Sequence, residues 1–155
     1  MHQAKRYHDI SCGHRVVGHE GKCRHLHGHN YRIHFTCEAA PDVMPLDAIG
    51  RVIDFSEIKT RLCLWLETHW DHKFLVWEDD PMFVAIGGTA KMSPDLAAMY
   101  LESIVDVPFN PTAENIARYL VEVIGPQQLT GTGIVLARCE VEETRKCSAT
   151  FSLRS

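Results

Sequence analysis

The chain has 155 residues, of which 45% are hydrophobic, and its formal net charge is −4. A chain of this length can bury its own core, so we expect a single domain over residues 1–155. The negative charge, without long runs of like charge, excludes the basic surface typical of nucleic-acid binders. The polar start and the lack of a long apolar stretch predict a cytosolic protein with no membrane partner.

Two segments near the N-terminus alternate in polarity, as half-buried antiparallel strands do. They cover residues 5–14 and 30–39, and in the second Tyr31, Ile33 and Phe35 alternate with polar side chains. The segment between these strands carries histidines and a cysteine, and it is therefore the first candidate for a functional site.

Three histidines in this region form a candidate metal site. His27 and His29 are two residues apart, and on an extended segment both rings lie on the same face and can bind one ion. With His14 they would form the three-histidine set that leaves a fourth zinc position open. Because the chain has ten histidines, the alternative is a set of surface side chains. His25 and His19 are further candidates, which we rank below these three.

Two amphipathic helices are predicted. The first begins at Asp54, with Glu57 as a reciprocal cap, and ends near His69. The second begins at Pro111–Thr112, with Thr112 as its N-cap, and the pair Gly125–Pro126 is expected to stop it.

The remaining segments are a long connection and a closing hairpin. Residues 76–107 form a connection longer than most loops, in which 94–100 could be a short helix, while Pro81 and Gly87–Gly88 favour irregular structure. Residues 133–143 and 147–153 predict the hairpin, with one face formed by Val135, Ala137, Cys139, Val141 and Glu143. The order ββααββ predicts an α+β fold, with an antiparallel sheet covered on one face by two helices.

Five short motifs occur in order along nearly the whole chain: 11–14, then 21–23 with 27–31, then 71–72, 111–115 and 143–144. Together they resemble the 6-pyruvoyltetrahydropterin synthase family. Three residues separate Cys23 from the His27-Gly28-His29 motif. This spacing resembles the 6-carboxytetrahydropterin synthase branch of the family, whereas five residues mark the 6-pyruvoyl branch.

The resemblance implies the tunnelling fold, in which subunits join their sheets into a barrel, and a homo-hexamer made of two trimeric rings. It also implies a Zn²⁺ ion held by His14, His27 and His29. The implied reaction converts 7,8-dihydroneopterin triphosphate to 6-carboxy-5,6,7,8-tetrahydropterin, acetaldehyde and triphosphate, for queuosine and related 7-deazapurine biosynthesis. A lyase of this kind needs no nicotinamide or flavin, and the chain has no motif for binding a dinucleotide or nucleotide phosphates.

The resemblance also implies catalytic roles. Cys23 would be the general base, and its basic neighbours Lys22, Arg24 and His25 favour a thiolate. Asp71 and His72 would activate it, although without the resemblance a solvated turn would be the preferred interpretation. The other cysteines lack a C-x-x-C pattern, and Cys37 and Cys63 fit buried positions.

Substrate binding is assigned to two further residues. Glu143 would accept hydrogen bonds from the pterin ring, with Glu142 facing the opposite way unless a bulge exchanges the two. Thr112 would either bind the ring or serve only as an N-cap. The candidates for binding triphosphate are Arg15, Lys22, Arg24, Lys73 and Arg145, which the sequence does not rank.

The sequence is also compatible with two other functions. A 6-pyruvoyltetrahydropterin synthase would keep all the side-chain carbons and release only triphosphate. A non-catalytic zinc or pterin-binding module would gain support if Cys23 were itself a zinc ligand.

Overall fold

A computed structural model describes residues 1–86 and 91–154 of the chain. Six strands form one mixed sheet in the order β4-β3-β1-β2-β5-β6. β1, β2, β5 and β6 are antiparallel neighbours, whereas β3 runs parallel to both β1 and β4. The bounds are Ala4–His14 for β1, His27–Ala39 for β2, Lys73–Trp77 for β3, Ile104–Val107 for β4, Ile134–Thr144 for β5 and Cys147–Ser152 for β6.

The central pair of strands confirms the two predicted N-terminal strands. β1 and β2 are paired from Ala4 opposite Cys37 to His14 opposite His27. β2 begins three residues earlier than the predicted start at residue 30. His27 and His29 therefore both lie on a strand, where their side chains share one face.

The first long helix, α1, consists of Phe55–Ile58, Lys59–Cys63 and Leu64–His69, and its middle part is π-helical. The Asp54 side chain accepts a hydrogen bond from the Ser56 amide at 2.8 Å, as expected of an N-cap. Glu57 instead binds Arg61 at 2.7 Å. The predicted start and end of the helix are confirmed, and the reciprocal half of the cap is wrong.

The C-terminal helix runs through Ala113–Tyr119, Leu120–Ile124 and Gly125–Gln128. The predicted stop at Gly125–Pro126 is wrong, because the chain makes one more helical turn there. Gly125 instead allows close packing on β5, since a Cβ atom added to it would lie 2.8 Å from Cβ of Leu136. Pro126 lies inside this continuous helix, at the change from its π-helical to its α-helical part, and its ring nitrogen donates no hydrogen bond to the preceding turn.

The long connection is mostly regular structure. It contains α2 at Pro81–Ile86 and α3 at Pro94–Ser103, and the C-terminal helix is therefore α4. The prediction of irregular structure at Pro81 is wrong, because this proline opens a helix, a position where its missing N–H costs little. A helix at Pro94 is confirmed, and Gly87–Gly88 lie outside the described residues.

β3 and β4 were not predicted, because short apolar runs in parallel strands lack the alternation that identifies half-buried strands. α1 and α4 pack on the same face of the sheet and enclose one hydrophobic core. The α+β architecture is therefore confirmed, with α1 and α4 as the two predicted helices on one face. The predicted order ββααββ and fully antiparallel sheet are wrong, because β3 and β4 are additional strands that pair in parallel.

The predicted face of β5 is correct only in part. Thr36 pairs with Arg138 and Cys37 with Leu136, so a bulge leaves Ala137 without a partner on β2. Leu136 is therefore buried in the core together with Cys139 and Val141, in place of the predicted Val135 and Ala137. None of the helices in the described ranges is long and apolar enough to cross a membrane.

Candidate metal centre and active site

The three candidate ligands lie together at one end of the β1–β2 pair. His14 is directly opposite His27, and His29 is opposite Cys12. The His14 ring centroid lies 4.5 Å from that of His27 and 5.1 Å from that of His29. Each ring contributes one nitrogen, and these three nitrogens all lie within 4.8 Å of one another, close enough to hold a metal ion between them.

Two glycines make room for this arrangement. Gly13 and Gly28 face each other between the two histidine-bearing positions. A Cβ atom on Gly28 would lie 2.9 Å from the carbonyl oxygen of Cys12, and one on Gly13 would collide with the ring of Phe74. Larger residues at either position would therefore push the strands or the neighbouring ring out of place.

Backbone carbonyls fix the orientation of two rings. Nδ1 of His14 lies 2.7 Å from the carbonyl oxygen of Pro111, and Nδ1 of His27 lies 2.7 Å from that of His25. A carbonyl oxygen can only accept, so each Nδ1 carries the hydrogen and each Nε2 keeps its lone pair free.

The free lone pairs are arranged to bind a cation. Nε2 of His14, His27 and His29 is buried in each case and has no hydrogen-bond partner among the described residues. Buried polar atoms without partners are unfavourable, and three that converge on one point fit a metal ion with nitrogen ligands.

The protonation of the rings agrees with this interpretation. The pKa of His14 is lowered to about 4, chiefly by burial; the hydrogen bond to the Pro111 carbonyl opposes the shift, and the neighbouring rings of His27 and His29 add to it. Burial also lowers the pKa of His29, against the attraction of the Glu143 carboxylate. Both rings are therefore neutral at pH 7, the form that binds a metal.

The Glu143 carboxylate lies beside the candidate ligands. Its two oxygens are 3.8 Å from Nε2 of His14 and 3.8 Å from Nε2 of His29. A second bulge falls at Glu143, since Glu142 pairs with Ser148 and Thr144 with Cys147. Glu142 nevertheless stays apart from the rings, with its carboxylate 3.2 Å from Nε2 of His34. The bulge therefore does not exchange the two glutamates.

Cys23 and Thr112 line a smaller cleft beside the metal centre. The cleft has a volume of about 360 Å³ and is also lined by His14 and Glu143. Cys23 lies in the short turn Lys22–Arg24 and is partly exposed. Oγ1 of Thr112 accepts a hydrogen bond from the Asn115 amide at 3.2 Å, so its N-cap role is present in the structure.

Most of the other thiols are buried and inert. Cys12, Cys37, Cys63 and Cys139 are buried, as expected for small apolar core residues. Burial raises the pKa of Cys12 and of Cys37 to about 12. Cys147, the remaining cysteine, is exposed in the same cleft as Cys23.

Asp71 and His72 form a turn that is fastened to β1. The Ser11 amide donates to Oδ1 of Asp71 at 2.9 Å, and the His72 amide donates to the Ser11 carbonyl at 2.8 Å. Nδ1 of His72 lies 3.1 Å from Oδ2 of Asp71, while the His72 side chain is 81% exposed. His72 has a φ of 59°, which is rare for a residue with a side chain. The interpretation as a plain solvated turn therefore does not describe it fully.

The charge of Asp71 supports an ordered pair. Burial alone would raise the pKa of Asp71, but hydrogen bonds from the Ser11 amide and from His72 outweigh it and the pKa is lowered. The carboxylate is therefore negative and orients the imidazole of His72.

The structure separates this pair from Cys23 within one chain. Asp71 and His72 line a larger cleft of about 830 Å³, together with His29, Glu143 and Arg145. Glu143 lines both clefts, whereas Cys23 lines only the smaller one. The predicted site residues therefore surround the histidines from two sides.

Four of the five basic residues that are candidates for binding triphosphate differ in their contacts. Arg15 is bound to the Asp80 carboxylate in the interior and is not available for triphosphate. Lys73 donates to the Glu102 carbonyl at 2.5 Å, and Arg24 donates to the Glu20 carbonyl at 2.9 Å. Arg145 is exposed and lines the larger cleft.

Sequence reasoning missed two contributors to the site. Tyr31 is buried, with its ring centroid 5.3 Å from that of His29 and its hydroxyl buried near the rings. Its two-residue spacing from His29 on one strand is a signal that could have found it. The Pro111 carbonyl has no sequence signal, because any residue supplies a carbonyl.

Comparisons with known proteins agree with these features. The sequence model of the family described as 6-pyruvoyl tetrahydropterin synthase matches residues 3–154. A 6-carboxy-5,6,7,8-tetrahydropterin synthase from Rickettsia felis is 32% identical over 139 residues, which cover 90% of this chain and 91% of that protein. The enzyme of the same name from Haemophilus influenzae is 29% identical over 121 residues, or 77% of this chain and 79% of that protein.

Solved structures share the fold. An uncharacterized protein from Wolinella succinogenes has a TM-score of 0.82 and 26% identity, covering 99% of this chain and 98% of its own. The 6-pyruvoyl tetrahydropterin synthase of Caenorhabditis elegans has a TM-score of 0.63 and 22% identity, covering 98% of this chain and 95% of its own. The prediction of the tunnelling fold is thus confirmed, and the chain belongs to the 6-pyruvoyl tetrahydropterin synthase family.

Proposed function

We propose that the protein is a zinc-dependent 6-carboxy-5,6,7,8-tetrahydropterin synthase, which acts on 7,8-dihydroneopterin triphosphate and releases acetaldehyde and triphosphate. The observation that carries the proposal is the set of three buried Nε2 atoms that converge beside Glu143 and Cys23. The spacing of Cys23 from the histidine motif and the names of the relatives favour the 6-carboxy reaction over the 6-pyruvoyl reaction.

His14, His27 and His29 would hold the zinc ion, leaving a coordination position for the substrate. When bound, zinc supplies a positive charge that stabilises negative charge developing on substrate oxygens. The carbonyls of Pro111 and His25 keep two of the rings in the tautomer that this role requires.

Cys23 would accept a proton from a carbon of the substrate side chain. Its partial exposure beside His14 and Glu143 gives it access to a molecule bound in the smaller cleft, unlike the thiols in the core. General-base catalysis needs this proximity first and a suitable protonation state second.

Glu143 would anchor the pterin ring by accepting hydrogen bonds from N3–H and the 2-amino group, which present two neighbouring donors. Its position between the two clefts supports contact with a ligand in either. Thr112 already accepts from Asn115, and its hydroxyl hydrogen remains able to donate to the ring.

His72, oriented by Asp71, would exchange protons with Cys23 across a subunit boundary. Within one chain the two lie in different clefts, and β4 and β6 are the outer strands of the sheet. A homo-hexamer of two trimeric rings, in which outer strands of neighbouring subunits pair, would bring one subunit's His72 towards another's Cys23.

Arg145 would bind the triphosphate, because among the candidate basic residues it lines the larger cleft together with His72. We further propose that the product serves queuosine or other 7-deazapurine biosynthesis. Both proposals concern small molecules, in agreement with the family to which the chain belongs.

One experiment tests the proposed reaction. Purified zinc-loaded protein is incubated with 7,8-dihydroneopterin triphosphate, and the products are analysed by mass spectrometry. Acetaldehyde with 6-carboxy-5,6,7,8-tetrahydropterin is expected. Triphosphate release without acetaldehyde would indicate the 6-pyruvoyl reaction, and no turnover would favour a binding module.

A further inference from the structure

The end of β1 is fastened to several separate segments of the chain. Four consecutive residues, 14–17, bind three separate segments, at residues 23–24, at residue 80 and at residues 110–111. In this way the end of the metal-binding strand and the residues that follow it organise the surroundings of the site. The contacts are His14 Nδ1 to the Pro111 carbonyl at 2.7 Å, Arg15 to Asp80 and the Arg24 carbonyl, the Val16 amide to the Cys23 carbonyl at 2.8 Å, and the Val17 amide to Asn110 Oδ1 at 3.0 Å.

The ion pair between Arg15 and Asp80 is the strongest of these contacts. Nε and Nη2 of Arg15 bind the two carboxylate oxygens of Asp80 at 2.6 and 2.5 Å. The side chains are only 11% and 2% exposed, respectively. Buried charges are tolerated when they are paired and their remaining hydrogen-bonding groups are satisfied, and a two-pronged arginine–carboxylate pair meets this condition.

The remaining guanidinium nitrogen of Arg15 binds the turn that carries Cys23. Nη1 of Arg15 donates to the Arg24 carbonyl at 3.0 Å. The next residue, Val16, holds the Cys23 carbonyl through its amide. Arg15 and Val16, which directly follow β1, therefore bind the carbonyls of Arg24 and Cys23, respectively.

The Cys23 turn depends on such contacts because it has little packing of its own. None of its three residues, Lys22–Arg24, is buried. Its internal backbone hydrogen bonds are the Arg24 amide to the Gly21 carbonyl at 3.4 Å and the His25 amide to the Lys22 carbonyl at 3.0 Å. The exposed Arg24 side chain adds hydrogen bonds to the Glu20 and Gly21 carbonyls at 2.9 and 3.2 Å. A turn with few buried side chains opens easily unless its backbone is tied to a rigid element.

Asp80 gives Arg15 a rigid point of attachment, and it belongs to the long connection at residues 76–107. Besides binding Arg15, its Oδ1 accepts from the Met82 amide at 2.9 Å at the start of α2. Burial alone would raise the pKa of Asp80, but the Arg15 guanidinium and the Met82 amide outweigh it and the pKa is lowered. The carboxylate is therefore charged at neutral pH, and its position is fixed by the end of β3 and the start of α2.

We propose that Asp80 is a positioning residue for Cys23 and acts through Arg15. The inference rests on the proposed role of Cys23 as the proton acceptor and assigns a role to the first part of the 76–107 connection. Loss of the Asp80 charge would free the Arg15 guanidinium to turn away from the Arg24 carbonyl and would loosen the Cys23 turn, while the metal ligands stay in place.

Two variants and one matched control test the inference in the zinc-loaded full chain. Asp80→Asn removes the charge with little change of shape, and Arg15→Lys keeps a charge but cannot bind both carboxylate oxygens and the Arg24 carbonyl together. Asp79→Asn makes the same chemical change at the neighbouring residue, which is exposed. If one variant fails to fold, the other still decides the question.

Hydrogen–deuterium exchange of peptides that span residues 21–26 provides a readout independent of activity. Asp80→Asn and Arg15→Lys should speed exchange there at least about tenfold, because the turn opens more often, and Asp79→Asn should not. Unchanged exchange in a folded Asp80→Asn or Arg15→Lys variant would overturn the inference. Loss of zinc from Asp80→Asn would also overturn it, because the effect would then act on His14.

Kinetics complete the test. Asp80→Asn should lower kcat at least about tenfold and leave KM nearly unchanged, since the group that accepts the proton is displaced and the ring anchor is not. Unchanged kcat in Asp80→Asn, with turnover abolished in Cys23→Ala, would overturn the inference about Asp80 and leave the proposed function standing. Full turnover in Cys23→Ala would instead show that the proposed function has failed.

Discussion

The carbonyl oxygen of Pro111 lies 2.7 Å from Nδ1 of His14 and so links the metal-binding strand to the residue that precedes the N-cap of α4. The link fixes the hydrogen on Nδ1 and aims Nε2 at His27 and His29. His14 itself is only 1% exposed, so this orientation is set before any metal binds. The ligand set is therefore preorganised by the fold.

The first prediction is one zinc ion per subunit, bound by three histidines. His14→Ala, His27→Ala and His29→Ala should each lose zinc, because each removes one of the three nitrogen ligands. His25→Ala is the control, since His27 binds the backbone carbonyl of His25, which the substitution keeps. Metal analysis by mass spectrometry measures the content, and full zinc retention in His27→Ala or His29→Ala would contradict the assignment.

The second prediction concerns pH and the metal-free protein. Burial lowers the pKa of His14 from 6.5 to about 4, so the unfolded chain binds a proton there at a higher pH than the folded chain does. The free energy of unfolding should therefore be highest above pH 6.5 and fall as the pH drops towards 4. Between these two pH values the neutral His14 ring accounts for a loss of about 3 kcal/mol in the free energy of unfolding.

Urea unfolding of the chelator-treated protein between pH 7 and pH 4 measures this loss. A His14→Gln variant removes the titrating group and should show a clearly smaller decrease over the same range. An equal decrease in both proteins would show that His14 does not titrate as its burial requires.

The third prediction is that Cys23 and His72 act together across subunits. Cys23→Ala and His72→Ala should each abolish turnover, while Cys23→Ala keeps its zinc because Cys23 is proposed as a base and not as a ligand. Cys147→Ala is the matched control, since Cys147 lines the same cleft and is exposed. Loss of zinc in Cys23→Ala would instead support a structural metal site.

Co-expression of Cys23→Ala with His72→Ala tests whether Cys23 and His72 meet across a subunit boundary. If the residues meet across a boundary, mixed oligomers contain some sites with both native residues, and part of the activity should return. Turnover that stays absent in mixed oligomers of confirmed composition would place the pair and the cysteine in the same chain or in separate roles.

The sequence was sufficient where a local pattern determines the structure. Alternation identified β1 and β2, and the two-residue spacing of His27 and His29 placed both rings on one face. The continuation of α4 through Gly125 escaped prediction, because the close approach to Leu136 is a tertiary contact. The pairing of Arg15 with Asp80 joins residues 65 positions apart, and no periodicity reports such a contact.

The fourth prediction concerns recognition of the pterin ring. The Glu143 carboxylate lies 3.8 Å from Nε2 of His14 and of His29, whereas Glu142 lies beside His34. Glu143→Gln keeps the shape but replaces one acceptor oxygen with a donor that faces the donors of the pterin. KM should rise about tenfold, the scale of one lost charge-assisted hydrogen bond.

Glu142→Gln provides the matched control, and steady-state kinetics with 7,8-dihydroneopterin triphosphate compares the two variants. A rise of KM in Glu142→Gln alone would reassign the anchor to Glu142, and no change in either would remove the carboxylate anchor from the mechanism. The Glu143 carboxylate is also close enough to the imidazoles to bind a metal ion held there. The zinc content of Glu143→Gln distinguishes this role from binding of the pterin ring. Zinc retained in Glu143→Gln together with a raised KM would support ring binding, whereas zinc lost together with turnover would make Glu143 a fourth metal ligand.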